Sequence, residues 1–130
     1  ISYDAFDANV PATLSKIMIQ DVIRARIGFD GLLMTDDLGM QALGGSLGER
    51  GEAAIAAGCD VLLHCSGFLS DPLAIHSEMA EVAAVSPELT GRPLERALRA
   101  EALSTHQEEF DLVEGWQTFQ SYFPHLAGAA

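Results

Sequence analysis

Gly28-Phe29-Asp30-Gly31-Leu32-Leu33-Met34 and Gly58-Cys59-Asp60-Val61-Leu62-Leu63-His64 share the pattern Gly-x-Asp-x-Leu-Leu at a spacing of 30 residues. Each copy reads as a helix that ends at Gly, a turn opened by Asp, and an apolar run. Gly suits the left-handed position just past a helix C-terminus. The apolar run reads as a strand buried on both faces. Thirty residues is about the length of one βα unit in a parallel sheet. The expected fold class is therefore α/β with parallel strands. Tyr3 stands another 29 residues before Leu32, so Ile1–Tyr3 is expected to be the tail of an earlier strand.

Helical patterns fill the intervals. Leu14 to Ile27 carries Ile17, Ile19, Val22, Ile23 and Ile27, with Ser15 as N-cap and Pro11 in the loop before it. Glu49 to Ala57 is rich in helix formers, with acids in its first turn where the macrodipole favours them. A third helix is expected from Pro72 to Ala84, because Pro suits the first helical position after Asp71. Ser86-Pro87 ends it. A fourth is expected from Pro93 to Gln107, with Thr90 or Gly91 near its start. These elements form one section, residues 1–107. The stretch 108–130 differs in character: it holds Glu108, Glu109, Asp111 and Glu114 without Lys or Arg, and Phe110, Trp116, Phe119, Tyr122 and Phe123. Two readings stand for it. One is a terminal helix that packs its aromatics on the body and then frays into Leu126–Ala130. The other is an interaction segment.

Composition narrows the function. The chain has 130 residues, 48% hydrophobic and 20% charged, which suits a folded domain or part of one. Lys+Arg number 7 against 19 Asp+Glu, a formal charge of −12. Phosphate binding needs clustered Lys/Arg, so neither nucleic acid nor an anionic membrane is an expected partner. No apolar run approaches the roughly 18 residues that span a bilayer. Cys59 and Cys65 make no disulfide framework and read as two small buried thiols in a reducing compartment. The chain opens Ile1-Ser2-Tyr3-Asp4, without Met or a basic signal region, so its true start is expected upstream.

Candidate chemistry gathers at Met34-Thr35-Asp36-Asp37-Leu38-Gly39-Met40, where a strand ends. Parallel α/β architectures carry their sites at the carboxyl ends of strands. Side chains alternate along a strand, so Asp36 and Asp37 point to different sides. A carboxylate there can act as nucleophile, general base or metal ligand; alternatively it caps the following turn. Asp37 fits the capping role and Asp36 the chemical one. His64, at the end of the second apolar run, either lines a pocket or packs. His76 and His106 fall on helices. No His/Cys spacing suits a metal, and no phosphate-binding glycine motif occurs. Gly44-Gly45-Ser46-Leu47-Gly48 reads as a mobile loop beside the site.

Pro11-Ala12-Thr13-Leu14-Ser15, Gly28-Phe29-Asp30-Gly31, Thr35-Asp36-Asp37-Leu38-Gly39-Met40, Glu49-Arg50-Gly51 and Ala56-Ala57-Gly58-Cys59-Asp60 follow in this order. Over about residues 1–100 the chain resembles the C-terminal part of bacterial β-N-acetylhexosaminidases of glycoside hydrolase family 3, cytoplasmic enzymes of peptidoglycan recycling. The resemblance implies a (β/α)₈ barrel, of which this chain would supply the end of strand six and strands seven and eight with their helices. It implies retaining hydrolysis of terminal β-linked N-acetylglucosamine from muropeptides, with Asp36 as nucleophile and without a cofactor. Met40 matches a residue of the sugar pocket, and His64 is expected to contribute to substrate binding. Asp37, Gly28 and Gly58 are expected to be structural. The family usually reads Ser-Asp-Asp-Leu-Ser-Met; here Thr35 and Gly39 replace the serines. After the last strand His64-Cys65-Ser66 stands where Val-Cys-Asn is common. The family's His/Asp acid–base pair lies upstream of the matched region, so the isolated chain is expected to be inactive. The missing part of the barrel is its expected partner.

Two other classes remain at this point. A receiver-like phospho-acceptor domain has this size and acidity, but it needs a Lys after its fifth strand, and the only lysine here is Lys16. A non-catalytic interaction fragment would use the acidic aromatic stretch 108–123.

Overall fold

The computed structural model describes residues 1–67, 69–104 and 111–123. His106, the expected helix end at Gln107, Glu108, Glu109, Phe110 and the segment 124–130 lie outside the described residues. The chain divides into two compact units, 1–100 and 101–130.

The first unit is α/β. Strands β1 (Met34–Asp37) and β2 (Val61–Leu63) pair in parallel, joined by helix α1 (Leu47–Ala57). Helices α2 (Pro72–Val85) and α3 (Gly91–Ser104) follow. Before β1 lie a 3₁₀ turn at Ala12–Leu14 and a ten-residue π-helix, Ile17–Arg26. The sequence pattern there predicts a helix, and the structure widens it. Its last turn closes i to i−5, with Ile27 N–H donating to the Val22 carbonyl at 2.8 Å. Ser15 starts it: its Oγ accepts from Met18 N–H at 3.1 Å and donates to Asp7 Oδ2 at 2.7 Å.

Local chemistry fixes the other helix ends. Ser46 and Glu49 form a capping box, each side chain accepting from the other's backbone N–H, at 3.2 and 2.8 Å. Ser46–Gly48 therefore begins α1 rather than extending the expected mobile loop. Gly58 closes α1 at φ 116°, a conformation that L side chains rarely adopt. A Cβ there would also strike the Gln20 amide, which donates to the Ala57 carbonyl. Asp71 caps α2 by accepting from Leu73 N–H, with Pro72 in the first turn.

Two apolar clusters hold the layers together. Ile19, Ala54, Ala57 and Cys59 form one; Leu38, Leu43 and Val82 form the other; Leu14 and Leu62 pack against both. Gly51 permits the close approach of α1 to its neighbours, since a Cβ there would lie 2.8 Å from Val85 Cγ2 and 3.0 Å from Leu62 Cδ1.

Several expectations are corrected. Ile1–Tyr3 adds no strand: Tyr3 pairs back on Asp7 through a tight turn, with Phe6 and Asp7 N–H both bonded to its carbonyl. The strands are not buried on both faces. Thr35 is buried, but Met34 and Asp36 on the alternate face are exposed, because helices cover the sheet on one side only. Cys59 is buried as expected, whereas Cys65, beyond the strand end, is exposed.

In the second unit, helix α4 (Leu112–Tyr122) is capped by Asp111, whose carboxylate accepts from Val113 and Glu114 N–H. Trp116 stacks on Phe119 at 5.4 Å between ring centroids, and Phe119 meets Phe123 at 4.9 Å. The terminal helix read in the sequence is present, and its aromatics remain exposed.

At the amino ends of the strands sits a buried ionic node. The Asp60 side chain is only 2% exposed. Its Oδ2 receives Arg24 Nη2 at 2.7 Å and Leu33 N–H at 2.9 Å, and its Oδ1 receives Arg96 Nη1 at 2.9 Å. Arg24 also donates to the Phe29 and Gly31 carbonyls. Arg96 continues to Asp30 Oδ1 at 3.0 Å, so the two aspartates of the repeat share one guanidinium. Removing Asp60 leaves two arginines and an amide without their common acceptor. Asp60→Ala is expected to cost about 3–5 kcal/mol, the usual result of breaking a buried ion pair from one side. Urea unfolding followed by far-UV circular dichroism checks this; a loss under about 1 kcal/mol would show that the node carries no weight.

Candidate functional site

The carboxyl ends of β1 and β2 carry the candidate site. Their pairing is irregular. Met34 pairs with Val61 and Asp37 with Leu63, so β1 takes three steps where β2 takes two. Such a bulge re-aims side chains and leaves ladder groups unpaired. Thr35 repairs the ladder: its buried Oγ1 accepts from Leu63 N–H at 2.8 Å. A serine hydroxyl could fill the same role, which gives Thr35 a physical reason.

Asp36 and Asp37 then part company. Asp36 is exposed, and its Oδ1 accepts from Asp37 N–H at 2.8 Å. It lines a cavity of about 170 Å³ with Ala12, Thr13, Met34 and Thr35. Asp37 turns the other way. Its Oδ1 accepts from Gly39 N–H at 2.8 Å and from Cys65 N–H at 3.0 Å, tying the turn after β1 to the end of β2. The Cys65 N–H bond, then the Gly39 N–H bond and the nearby His64 ring, hold the Asp37 carboxyl below the ordinary carboxylate range.

His64 is brought to Asp37 and Glu78, and it lines a different cavity from Asp36. Its side chain is 6% exposed; Nε2 lies 2.8 Å from Glu78 Oε2 and Nδ1 lies 3.4 Å from Asp37 Oδ1. Ser66 Oγ donates to the same Glu78 oxygen at 3.0 Å. Gly39, Gln41, His64, Cys65, Ser66 and Glu78 surround a cavity of about 200 Å³. Met40 sits in the turn after β1, with its N–H on the Asp37 carbonyl at 3.3 Å. Gly28 takes φ 76° after the π-helix and Gly58 caps α1; both lie away from the strand ends that carry Asp36. His76 is exposed on α2. A larger cavity, about 330 Å³, lies beside Asp60 and Arg96 at the opposite end of the strands. The carboxylates there are already paired with arginines, so the strand carboxyl ends remain the candidate site. Among the described residues, no three His, Cys, Asp or Glu side chains are grouped to hold a metal ion.

Two supporting groups escaped sequence reasoning. Arg50 Nη1 donates to the Leu38 carbonyl at 2.7 Å and Nε to the Gly44 carbonyl at 3.3 Å, bracing the loop after Asp37 from α1. The Ser46-x-x-Glu49 spacing could have been read as a capping box. Arg50 gave no such signal, since its acceptors are backbone carbonyls.

Glycosyl hydrolase family 3 N terminal domain is the family description matching residues 1–99. A beta-hexosaminidase of Idiomarina loihiensis is 30% identical over 114 residues, 86% of this chain and 33% of that protein. One of Mannheimia succiniciproducens is 48% identical over 58 residues, 43% of this chain and 17% of that protein. The crystal structure of zinc-bound CbsA from Thermotoga neapolitana superposes with a TM-score of 0.54 at 30% identity, covering 85% of this chain and 25% of that one. The chain thus spans a third or less of each of these proteins.

Two predictions follow from the strand ends. Thr35→Val keeps the shape and removes the acceptor for Leu63 N–H, so it should destabilise by about 1–3 kcal/mol. Thr35→Ser should stay within about 0.5 kcal/mol of the parent in the same urea titration. The lowered folded pKa of Asp37 means that its contribution to stability is complete above the unfolded carboxylate value, about 3.9. That contribution is lost as pH falls through the lower folded value. Asp37→Asn should therefore lose stability at pH 7 and narrow its gap to the parent as the solution is acidified below about pH 4. A gap that stays constant with pH would contradict the role of the charge.

Proposed function

The chain belongs to glycosyl hydrolase family 3, and we propose that it carries the nucleophile-bearing section of a retaining β-N-acetylhexosaminidase. In this reading β1 and β2 are strands seven and eight of a (β/α)₈ barrel. The exposed face that holds Met34 and Asp36 is the inner wall of that barrel, open because the other strands lie outside this chain. The observation that carries the reading is the division of labour at the bulge. Asp37 is turned toward His64, its Oδ1 held by two backbone N–H groups, while Asp36 stands exposed on the open face with Oδ1 held by one backbone N–H.

The chemistry follows from that geometry. The free oxygen of ionised Asp36 attacks the anomeric carbon of a terminal β-linked N-acetylglucosamine, and the leaving-group oxygen departs with a proton from an acid supplied by the rest of the barrel. Water then opens the glycosyl-enzyme at the same carbon and regenerates the carboxylate. Asp37 N–H holds the other Asp36 oxygen and so orients the attacking one. Met40, in the turn that follows, is proposed to line the sugar pocket. The beta-hexosaminidase relatives support an N-acetylhexosaminide as substrate. Peptidoglycan fragments in the cytoplasm are the proposed natural source of it. Acid–base catalysis requires residues outside this chain, so the chain alone is proposed to be inert.

The chain alone should give no turnover of 4-nitrophenyl N-acetyl-β-D-glucosaminide. Fusion to the upstream barrel part of the Idiomarina loihiensis relative should restore it. In that fusion Asp36→Ala should lower kcat at least about a thousandfold, as loss of a nucleophile does, with an unchanged circular dichroism spectrum. An active Asp36→Ala fusion would remove the nucleophile assignment, and turnover by the chain alone would remove the partial-barrel reading.

A further inference from the structure

The carboxyl ends of the strands hold a buried side chain that the hydrolytic chemistry does not use. His64 extends from the end of β2 between two carboxylates on different elements: Asp37 from β1, at 3.4 Å from Nδ1, and Glu78 from α2, at 2.8 Å from Nε2. Nδ1 is fully buried and makes no complete hydrogen bond; Asp37 is the acceptor it faces. Ser66 Oγ is the third polar group at the ring, 3.1 Å from Nε2, and it donates to Glu78. These contacts include no Lys or Arg.

We propose that His64 is a positioning residue for Asp36: as an imidazolium held between Asp37 and Glu78, it ties α2 to the turn that orients the Asp36 carboxylate. Only the imidazolium can donate from both ring nitrogens at once. When the proton leaves to solvent, one carboxylate loses its donor, and two anions face each other across a neutral ring. The effect reaches Asp36 through one residue. Asp37 meets His64 with its side chain and holds Asp36 Oδ1 with its backbone N–H at 2.8 Å. The same Asp37 oxygen takes the Gly39 and Cys65 N–H groups, so any shift of that carboxylate moves the turn at 37–39. The catalytic meaning of this coupling rests on Asp36 being the nucleophile; the coupling itself is a property of the folded chain.

The test is a pH titration of the 130-residue chain by nuclear magnetic resonance. It reads the His64 ring nitrogens, the Asp37 amide and the Asp36 side-chain carboxyl carbon. In the parent, the Asp37 and Asp36 signals should show a step that shares its midpoint with the His64 ring. Glu78→Gln should move the ring and Asp36 midpoints to lower pH together. His64→Gln should erase the step at Asp36. Random-coil shifts at His64 in the parent, an Asp36 signal indifferent to the His64 step, or a step that survives His64→Gln would each overturn the proposal. Should His64→Gln fail to fold, the parent and Glu78→Gln titrations decide the matter. No turnover enters this measurement, so a failed nucleophile assignment in the fusion assay leaves it intact, and the reverse also holds.

Discussion

The first unit is held together by a carboxylate that is almost wholly buried. Asp60 gathers an amide of the chain entering β1 and two guanidiniums, one from the helix before β1 and one from α3. The node therefore joins three segments that are far apart in sequence. It also sets the strand register from below, because Leu33 accepts from the Asp60 and Val61 N–H groups while giving its own N–H to Asp60 Oδ2. A buried charge is expensive unless every lone pair finds a donor, so the arrangement tolerates little drift. Register set at one end of the sheet is what allows irregularity at the other.

That irregularity is where the candidate chemistry sits. The bulge in β1 breaks the ladder, Thr35 mends it, and Asp37 stitches the two strand ends together. Rigid amino ends and a specialised carboxyl end are the usual division in parallel α/β proteins, where stability and activity occupy opposite faces. Here the repeat supplies the first face through Asp30 and Asp60, and the Asp36-Asp37 pair supplies the second.

Much of this was legible in the sequence, and the misses have physical causes. The 30-residue repeat located β2, the parallel pairing and the glycine ends, whereas β1 begins only at Met34, where the apolar run Leu32–Met34 was expected to form the strand. Asp30 and Asp60, however, read as turn openers; their arginine partners lie 36 residues or more away from them for Arg24–Asp60, Arg96–Asp60 and Arg96–Asp30. No short-range pattern carries such a pairing. The separation of Asp36 from Asp37 followed from strand alternation, but the bulge between them did not, since it depends on a partner strand. Cys65 departs from the average burial of thiols because it falls just beyond the end of β2.

The aromatic ladder of α4 has a practical consequence for spectroscopy. The chain has a single tryptophan, Trp116, and it stacks on Phe119 within the second unit. Its fluorescence therefore reports the state of that helix. An emission change on heating would trace the loss of the Trp116–Phe119 stack as α4 melts.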